Sequence, residues 1–461
     1  MYAPTRPHER TAADAIDAVR ETYGLCWPGK AASAGLASEP TAARTVPCPD
    51  EGVGSIGTPN LFIEGDNLDA MKLLCKTHGG RFKMIYADPP YNTGRISLNY
   101  HDDFSIDESE YRQIAAGSSE DSGRRHAAWL SMIYPRLLLA RELLADDGAI
   151  FISIDDNEIA QLRLLCDEIF GADCFINQIA VKSSESSGVK MTHVERRLPK
   201  KKEYLLIYSR VAGGCRLAGL SAPKQDIDRY LRYYSSFIVD RDVPVERWEI
   251  ISVTDAMRRH GIETTAENIR AFKIENAGRV VYRTNNALLA GMRFETETAE
   301  VISPRGRRYI WWRGKQMLFL SDHLDEALCD LWTDISTINL NKEMLGLPAF
   351  TAGQKPLALL ERCIALVCPE NEPSLVMDIF AGSGAFGHAA MRSAAAGRPV
   401  RFVSIQAAEA LPPHFNSGGN AFATIADIAK ERLRRAALSF TPPFGFRVER
   451  IAAAPQKAAS L

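Results

Sequence analysis

The 461-residue chain has no two cysteines at C-x-x-C spacing; its nine cysteines lie scattered. That excludes the common zinc and redox motifs, so reduced structural thiols and no metal are expected. No stretch approaches the roughly 18 consecutive apolar residues of a membrane span. The opening Met-Tyr-Ala-Pro-Thr-Arg-Pro is not a signal peptide, so the expectation is a cytoplasmic protein with no membrane partner. Charge of one sign is also lacking: the net value is −2, and any affinity for nucleic acid must come from local basic patches. What remains is a composition, 46% hydrophobic and 24% charged, ordinary for a chain of two or three globular domains.

Against that background one stretch stands out. Met84-Ile85-Tyr86-Ala87 reads as a buried strand, and Asp88-Pro89-Pro90-Tyr91 follows it. The tetrapeptide thus lies beyond a strand's carboxyl end, where open α/β sheets bind ligands. Two prolines fix φ near about −65° and remove two backbone donors. Carbonyls beside them are left to accept hydrogen bonds from a ligand, Asp88 is a further acceptor and Tyr91 a stacking ring. A tight turn that merely ends the strand has the same letters.

Residues 1–60 mix Ala, Pro, Gly and Ser around one helical stretch, Ala12 to Tyr23, and read as an arm. Leu61–Glu64 is a short strand turning at Gly65, and Leu68, Met71, Leu74 and Cys75 then recur at helical spacing. Strand, helix and the Asp88 strand make a βαβ unit with two carboxylates, Asp66 and Asp88, at strand ends. A helix is expected from Trp129 to Leu144, stopped by Gly148, and then a strand Ala149–Ile154. Asp155-Asp156-Asn157-Glu158 could bind a metal; the preferred reading is a cap for the helix Glu158 to Phe170.

The α/β rhythm holds over residues 61–182 and breaks over 183–350, a candidate insertion. Two basic segments there bear on nucleic acid. One contains Lys200, Lys201 and Lys202; the other contains Arg305, Arg307, Arg308, Trp311, Trp312, Arg313 and Lys315. Cations can neutralise phosphates and aromatics can pack on sugar or an unstacked base. A charge-guarded edge strand is the alternative. The rhythm resumes over 351–440 with a helix from Pro356, a strand Ser374–Phe380, and the glycine-rich turn Ala381-Gly382-Ser383-Gly384 before a helix His388 to Ala396. No Gly-Lys-Ser/Thr closes that turn, so it is not a P-loop. Arg401–Ile405 is another strand, ending at Gln406, and a helix Ile425 to Ala437 closes the sheet. Residues 441–461 read as a patternless tail.

Taken together, Tyr23 to Lys30, Leu61 to Leu68, Met84 to Gly94, Phe151 to Glu158, Leu331 to Ile335, Gln354-Lys355-Pro356 and Asp378 to His388 resemble a β-class amino-methyltransferase of DNA. The closest likeness is to the modification subunit of type III restriction-modification systems. The segments run in that family's order over residues 20 to about 437: catalytic motif first, target-recognition domain inserted, cofactor loop last. The resemblance implies a Rossmann-like, S-adenosylmethionine-dependent α/β methyltransferase sheet with circularly permuted motifs. It also implies double-stranded DNA as substrate, a homodimer, and a helicase-nuclease partner. Phe380 would pack on the cofactor, with Ala381, Gly382, Ser383 and Gly384 against its methionine part and Asp378 near it. Asp66 would lie near the adenine, Lys355 would reach the carboxylate, and Gln406 or Glu409 would serve the ribose. Asp88 and the Pro89 carbonyl would accept the two hydrogens of the target amino group, and Tyr91 would stack on the flipped base. Cytosine-N4 members usually carry Ser in place of Asp88, so Asp favours adenine N6. Ala385-Phe386 stands where the family usually has a Thr pair; a weakened specificity subunit that only binds DNA is the reading that departure supports.

Overall fold

The computed structural model describes residues 24–55, 57–93, 121–183, 198–224, 226–287, 298–302, 308–338, 340–348, 353–411 and 422–452. The helix expected over Ala12 to Tyr23 lies outside them. Contacts divide the chain into two units, Gly219–Cys329 and the two flanking segments together.

In the flanking unit the first segment supplies β1 (Arg44–Pro47), β2 (Asn60–Glu64), β3 (Phe82–Ala87), β4 (Leu144–Ile154), β5 (Phe175–Lys182) and β6 (Lys202–Ser209). Its helices are α1 (Lys30–Ser38), α2 (Asn67–His78), α3 (Asp121–Leu143) and α4 (Ile159–Phe170). The helix α3 ends at Leu143, and β4 starts at once with Leu144 opposite Phe82. Gly148 is therefore not the helix stop. It sits where a Cβ would meet the Phe82 carbonyl oxygen at 2.6 Å, so glycine lets the two strands close on each other after an irregular register.

The unit Gly219–Cys329 contains β7 (Ser221–Pro223), β8 (Ser236–Ile238), β9 (Ile250–Ser252), β10 (Val280–Thr284), β11 (Thr298–Ile302), β12 (Arg308–Trp312), β13 (Lys315–Phe319) and β14 (Asp325–Ala327). Its helices are α5 (Ile227–Leu231), α6 (Val253–Arg259) and α7 (Ala266–Glu275). The strands β11-β12-β13-β10-β8-β9 form an antiparallel sheet, and β7 pairs with β14. Arg313 (φ 45°) and Gly314 (φ 73°) join β12 to β13 in a two-residue hairpin whose positive φ values match the primed turns that suit strand twist.

The second flanking segment adds β15 (Leu331–Trp332), β16 (Ser374–Asp378), β17 (Val400–Gln406) and β18 (Phe446–Ala452), with α8 (Leu357–Val367), α9 (Ala385–Ala395) and α10 (Ile425–Leu438). Among the described residues the sheet runs β1-β18-β2-β17-β16-β3-β4-β6-β5-β15, parallel from β18 through β4. Parallel strands are covered on both faces, which explains why Phe62, Met84, Ile85, Phe151, Ile152, Val376 and Met377 are all buried. Of the stretch read as a patternless tail, residues 446–452 form a strand. Phe446 and Val448 alternate with Arg447 and Glu449 and add β18 beside β2, and β1 of the N-terminal arm pairs with β18 in turn. Phe446 is 1% exposed, so Phe446→Ala is expected to cost about 3–5 kcal/mol of unfolding free energy in denaturant titrations.

The chain leaves β16 through α9 toward β17 on one side and leaves β3 through α3 toward β4 on the other. The order of strands reverses between these two neighbours. Their carboxyl ends therefore border the crevice in which open α/β sheets bind ligands.

Candidate active site

The turn Asp88-Pro89-Pro90-Tyr91, the candidate catalytic turn, hangs from the end of β3. Its strand is fixed on the β16 side by the register Asp378 opposite Tyr86, and the Tyr86 hydroxyl shares a 2.7 Å hydrogen bond with Ser153 on β4. Trp129 of α3 donates its indole N–H to the Pro90 carbonyl at 2.7 Å. No described residue donates to the Pro89 carbonyl. Proline has removed the local donors, and the one carbonyl that the fold engages is the second.

Asp88 keeps 17% of its side chain exposed. Its Oδ1 accepts from the Tyr91 hydroxyl at 3.0 Å and lies 3.0 Å from the Lys355 ammonium. No donor among the described residues reaches Oδ2. Lys355, buried in the segment before α8, also donates to the Tyr91 hydroxyl at 2.7 Å and to Glu203 Oε2 at 3.3 Å. Tyr91 donates to the same Glu203 oxygen at 3.1 Å, and the Lys355 ammonium stands 4.8 Å from the centre of its ring. Burial pushes the Asp88 carboxyl above its ordinary range, with the Lys355 charge pulling the other way. Burial alone would lower the Lys355 ammonium, but the charges of Asp88 and Glu203 more than offset it and hold the amine protonated. Glu203 is half-buried, and Lys355 keeps it below the usual glutamate range.

A second layer supports the turn from below. Asn92 follows Tyr91 with φ 56°, a left-handed conformation that Asn tolerates better than most residues. Its side chain is buried and donates to Glu158 Oε1 at 2.5 Å, and the Arg125 guanidinium donates to its carbonyl at 2.5 Å. Glu158 is fully buried and also pairs with His126 Nδ1 at 2.6 Å. Burial raises its pKa, with Asn92 and His126 opposing. Glu158 stands at the N-cap position of α4 but makes no side-chain cap bond. Asp155 instead accepts from the Asn157 amide at 2.8 Å and from Lys200 at 2.5 Å, while Asp156 takes Lys202 at 3.1 Å. Asp155 thus caps the turn that opens α4, and both carboxylates also hold lysines on the neighbouring chain segment. No group of three or more potential metal ligands exists among the described residues.

On the β16 side, Asp378 is buried and accepts from the Phe380 amide at 3.0 Å; burial holds its carboxyl well above the ordinary range. Gly382 (φ 52°) and Gly384 (φ 77°) bend the loop through conformations that side chains resist. The Gly382 amide donates to Gln406 Oε1 at 2.6 Å, and Arg432 donates to Ser383 Oγ at 2.8 Å from beneath. Gln406 thus braces the loop. The helix α9 starts at Ala385, three residues before the expected His388. Phe386 is therefore in its first turn, buried, and stacks on Tyr86 with ring centres 5.6 Å apart. Where the resembling family offers hydroxyls, this chain packs an aromatic bridge between the loop and the catalytic strand. Asp66 caps α2 by accepting from the Leu68 and Asp69 amides and pairs with Arg136 at 3.2 Å. Asn67 beside it donates to the Ile379 carbonyl at 2.8 Å and so ties α2 to the loop. Gly382 and Gly384 bring backbone without side chains to the loop, and the free amides at the start of α9 suit a carboxylate. That donor set fits the methionine end of S-adenosylmethionine.

The residues assigned to DNA fare unevenly. Lys201 is exposed, but Lys200 and Lys202 are paired with Asp155 and Asp156. Arg305 and Arg307 lie outside the described residues, and Arg308 is placed only as backbone of β12. Trp311 and Trp312 are not stacking platforms. They are 7% and 4% exposed, and Trp312 packs with Ile238, Trp248, Val281, Met317 and Phe319 in the core of its own unit. Arg313 and Lys315 are exposed at the hairpin, with the Arg313 guanidinium 4.4 Å from the Trp312 ring centre.

Glu203 and Arg432 support the site and have no motif of their own in the sequence, while Glu158 reads there only as part of a helix cap. Glu203 had the faintest signal, a lone acid between a lysine run and the apolar strand β6.

The type III restriction-modification enzyme EcoPI Mod subunit of Escherichia phage P1 is 28% identical over 92% of this chain and 69% of its own length. The EcoP15I Mod subunit of Escherichia coli is 26% identical over 92% of the chain and 70% of its own length. The type II methyltransferase M.KpnI of Klebsiella pneumoniae is 29% identical over 72% of the chain and 76% of its own length. A family profile described as DNA methylase matches residues 82–409, from the start of the catalytic strand to just past Gln406. The chain belongs to the DNA methylase family.

Proposed function

We propose that this protein methylates the N6 amino group of adenine in double-stranded DNA, with S-adenosylmethionine as donor. The observation that carries the reading is the pair of acceptors at the catalytic turn, Asp88 Oδ2 and the Pro89 carbonyl, to which no described residue donates. When bound, the cofactor supplies an electrophilic sulfonium methyl. An exocyclic amino group is a poor nucleophile because its lone pair is delocalised into the ring. Two acceptors for its hydrogens favour a pyramidal nitrogen and offset the positive charge that grows on it. Asp88 then holds the proton that the nitrogen sheds. Tyr91, its hydroxyl clamped by Asp88, Glu203 and Lys355, offers a fixed ring face to a base swung out of the duplex, since the amino group is not reachable in the stack. Asp rather than Ser at position 88 supports adenine over cytosine. Gly382, Gly384 and Asp378, with Phe380 beside them, hold the cofactor, and Gln406 braces the loop that does so. Lys355 serves the catalytic turn, its ammonium already bound by Asp88 and Glu203.

The Mod subunits to which the chain is similar support a place in a restriction-modification system. On this reading the protein is a cytoplasmic homodimer that partners a helicase-nuclease subunit. The unit Gly219–Cys329 reads the target site, with Arg313 and Lys315 on phosphate. No helix among the described residues is long and apolar enough to cross a membrane. The test is incubation with cofactor labelled in its methyl group and mixed-sequence duplex DNA. Label in DNA that is lost in the Asp88→Ala chain is expected; DNA binding without transfer would refute the proposal.

A further inference from the structure

We propose that Glu203 is a positioning residue for methyl transfer: it shares the Lys355 ammonium, so that Asp88 is not wholly ion-paired and stays a basic acceptor for the substrate. The inference rests on the adenine-methylation reading and assigns a role to a residue outside the catalytic turn.

Four groups meet within hydrogen-bond reach of one another. Lys355 Nζ lies 3.0 Å from Asp88 Oδ1, 3.3 Å from Glu203 Oε2 and 2.7 Å from the Tyr91 hydroxyl. The Tyr91 hydroxyl in turn bonds both carboxylates, at 3.0 and 3.1 Å. Two carboxylates face one ammonium, so one negative charge is left over at the place where positive charge develops on the target nitrogen. Without Glu203, Lys355 would have Asp88 as its only counterion in this cluster. Asp88 would be wholly ion-paired and a weaker base, since the Glu203 charge raises its carboxyl and the Lys355 charge lowers it, and the ammonium would be drawn harder against it. Tyr91 would also lose one of the two carboxylate anchors that set its ring.

The geometry divides the labour at Asp88 as well. Both Lys355 and Tyr91 approach Oδ1, which leaves Oδ2 as the oxygen turned to the substrate. Glu203 stands on β6 opposite Val181 of β5, so its carboxylate is carried by the sheet and not by the turn. Its charge, more than its capacity to accept one hydrogen bond, is what the arrangement requires. An amide at this position would still accept from Tyr91 while offering Lys355 nothing to balance Asp88.

Two variants separate these roles. Glu203→Gln is expected to lower kcat about 10- to 100-fold, the size of effect that misplacement of a reacting group produces. KM for DNA, and the dissociation constant for the cofactor by calorimetry, stay within about threefold because neither contact is made by Glu203. Glu203→Asp, which keeps the charge, recovers most of the rate. A Glu203→Gln chain with wild-type kcat overturns the proposal. So does a chain in which Gln and Asp lower kcat and cofactor binding alike, or one that no longer folds, since each makes Glu203 a structural residue. Absence of adenine methylation by the unaltered chain would instead sink the parent reading and this inference with it.

Discussion

Asp88→Ala lowers methyl transfer to DNA by on the order of 10² to 10⁴, the range of general acid–base effects, while cofactor binding survives. The substitution removes the Oδ2 acceptor and the charge that faces the target nitrogen, yet touches nothing on the Gly382–Gly384 side. It also releases Lys355 and Tyr91 from one partner, and Glu203 retains both. A loss of cofactor affinity as large as the loss of turnover would mean that Asp88 belongs to the cofactor and not to the base. The same residue sets a pH dependence. Burial holds its carboxyl above the ordinary range of about 3.9, and transfer requires the ionised form. Activity is therefore full at higher pH and falls as pH drops through that raised value. A profile of kcat/KM against pH whose acid limb sits at the ordinary carboxylate value would contradict the assignment.

Gly384→Val is expected to weaken cofactor binding about tenfold or more, measured as a dissociation constant by calorimetry. Its φ of 77° lies in the left-handed region, which costs a residue with a Cβ about 1–2 kcal/mol, and tenfold in affinity is about 1.4 kcal/mol. The added Cβ would also stand 3.1 Å from the Ala429 carbonyl oxygen on α10, a backbone atom that cannot swing away. Strain of this kind relaxes by displacing the loop and breaking the bond from the Gly382 amide to Gln406. The catalytic turn is left in place, so turnover at saturating cofactor should change far less than affinity. Unchanged affinity would show that the loop does not hold the donor.

Much of this was legible in the residues. The apolar runs before Asp66, Asp88 and Asp378 located three neighbouring parts of one parallel sheet because strands buried on both faces are written as continuous hydrophobic stretches. Proline and glycine marked the two turns that matter, since each acts on the backbone locally. The failures have a different cause. Gly148 was read as a local helix stop, whereas its reason lies on another strand, at the Phe82 carbonyl. Asp155 does cap the turn before α4, but Asp156 and Glu158 take partners that no local pattern reports, Lys202 for the one and Asn92 and His126 for the other. Trp311 and Trp312 looked like a stacking surface because charge surrounds them in the sequence. The hairpin folds Trp312 into the core of its unit and leaves Arg313 outside. Glu203 was invisible for the same reason. Its importance comes from partners at positions 88, 91 and 355, and no local pattern reports a contact over such separations.

The central claim is that the methyl group reaches the N6 nitrogen of adenine through Asp88. DNA from a host lacking other DNA methyltransferases, expressing either the unaltered chain or Asp88→Ala, can be digested to nucleosides and analysed by mass spectrometry. N6-methyladenine in DNA from the unaltered chain and its loss with Asp88→Ala is the predicted result. N4-methylcytosine in place of N6-methyladenine, or N6-methyladenine undiminished in the Asp88→Ala host, would contradict it.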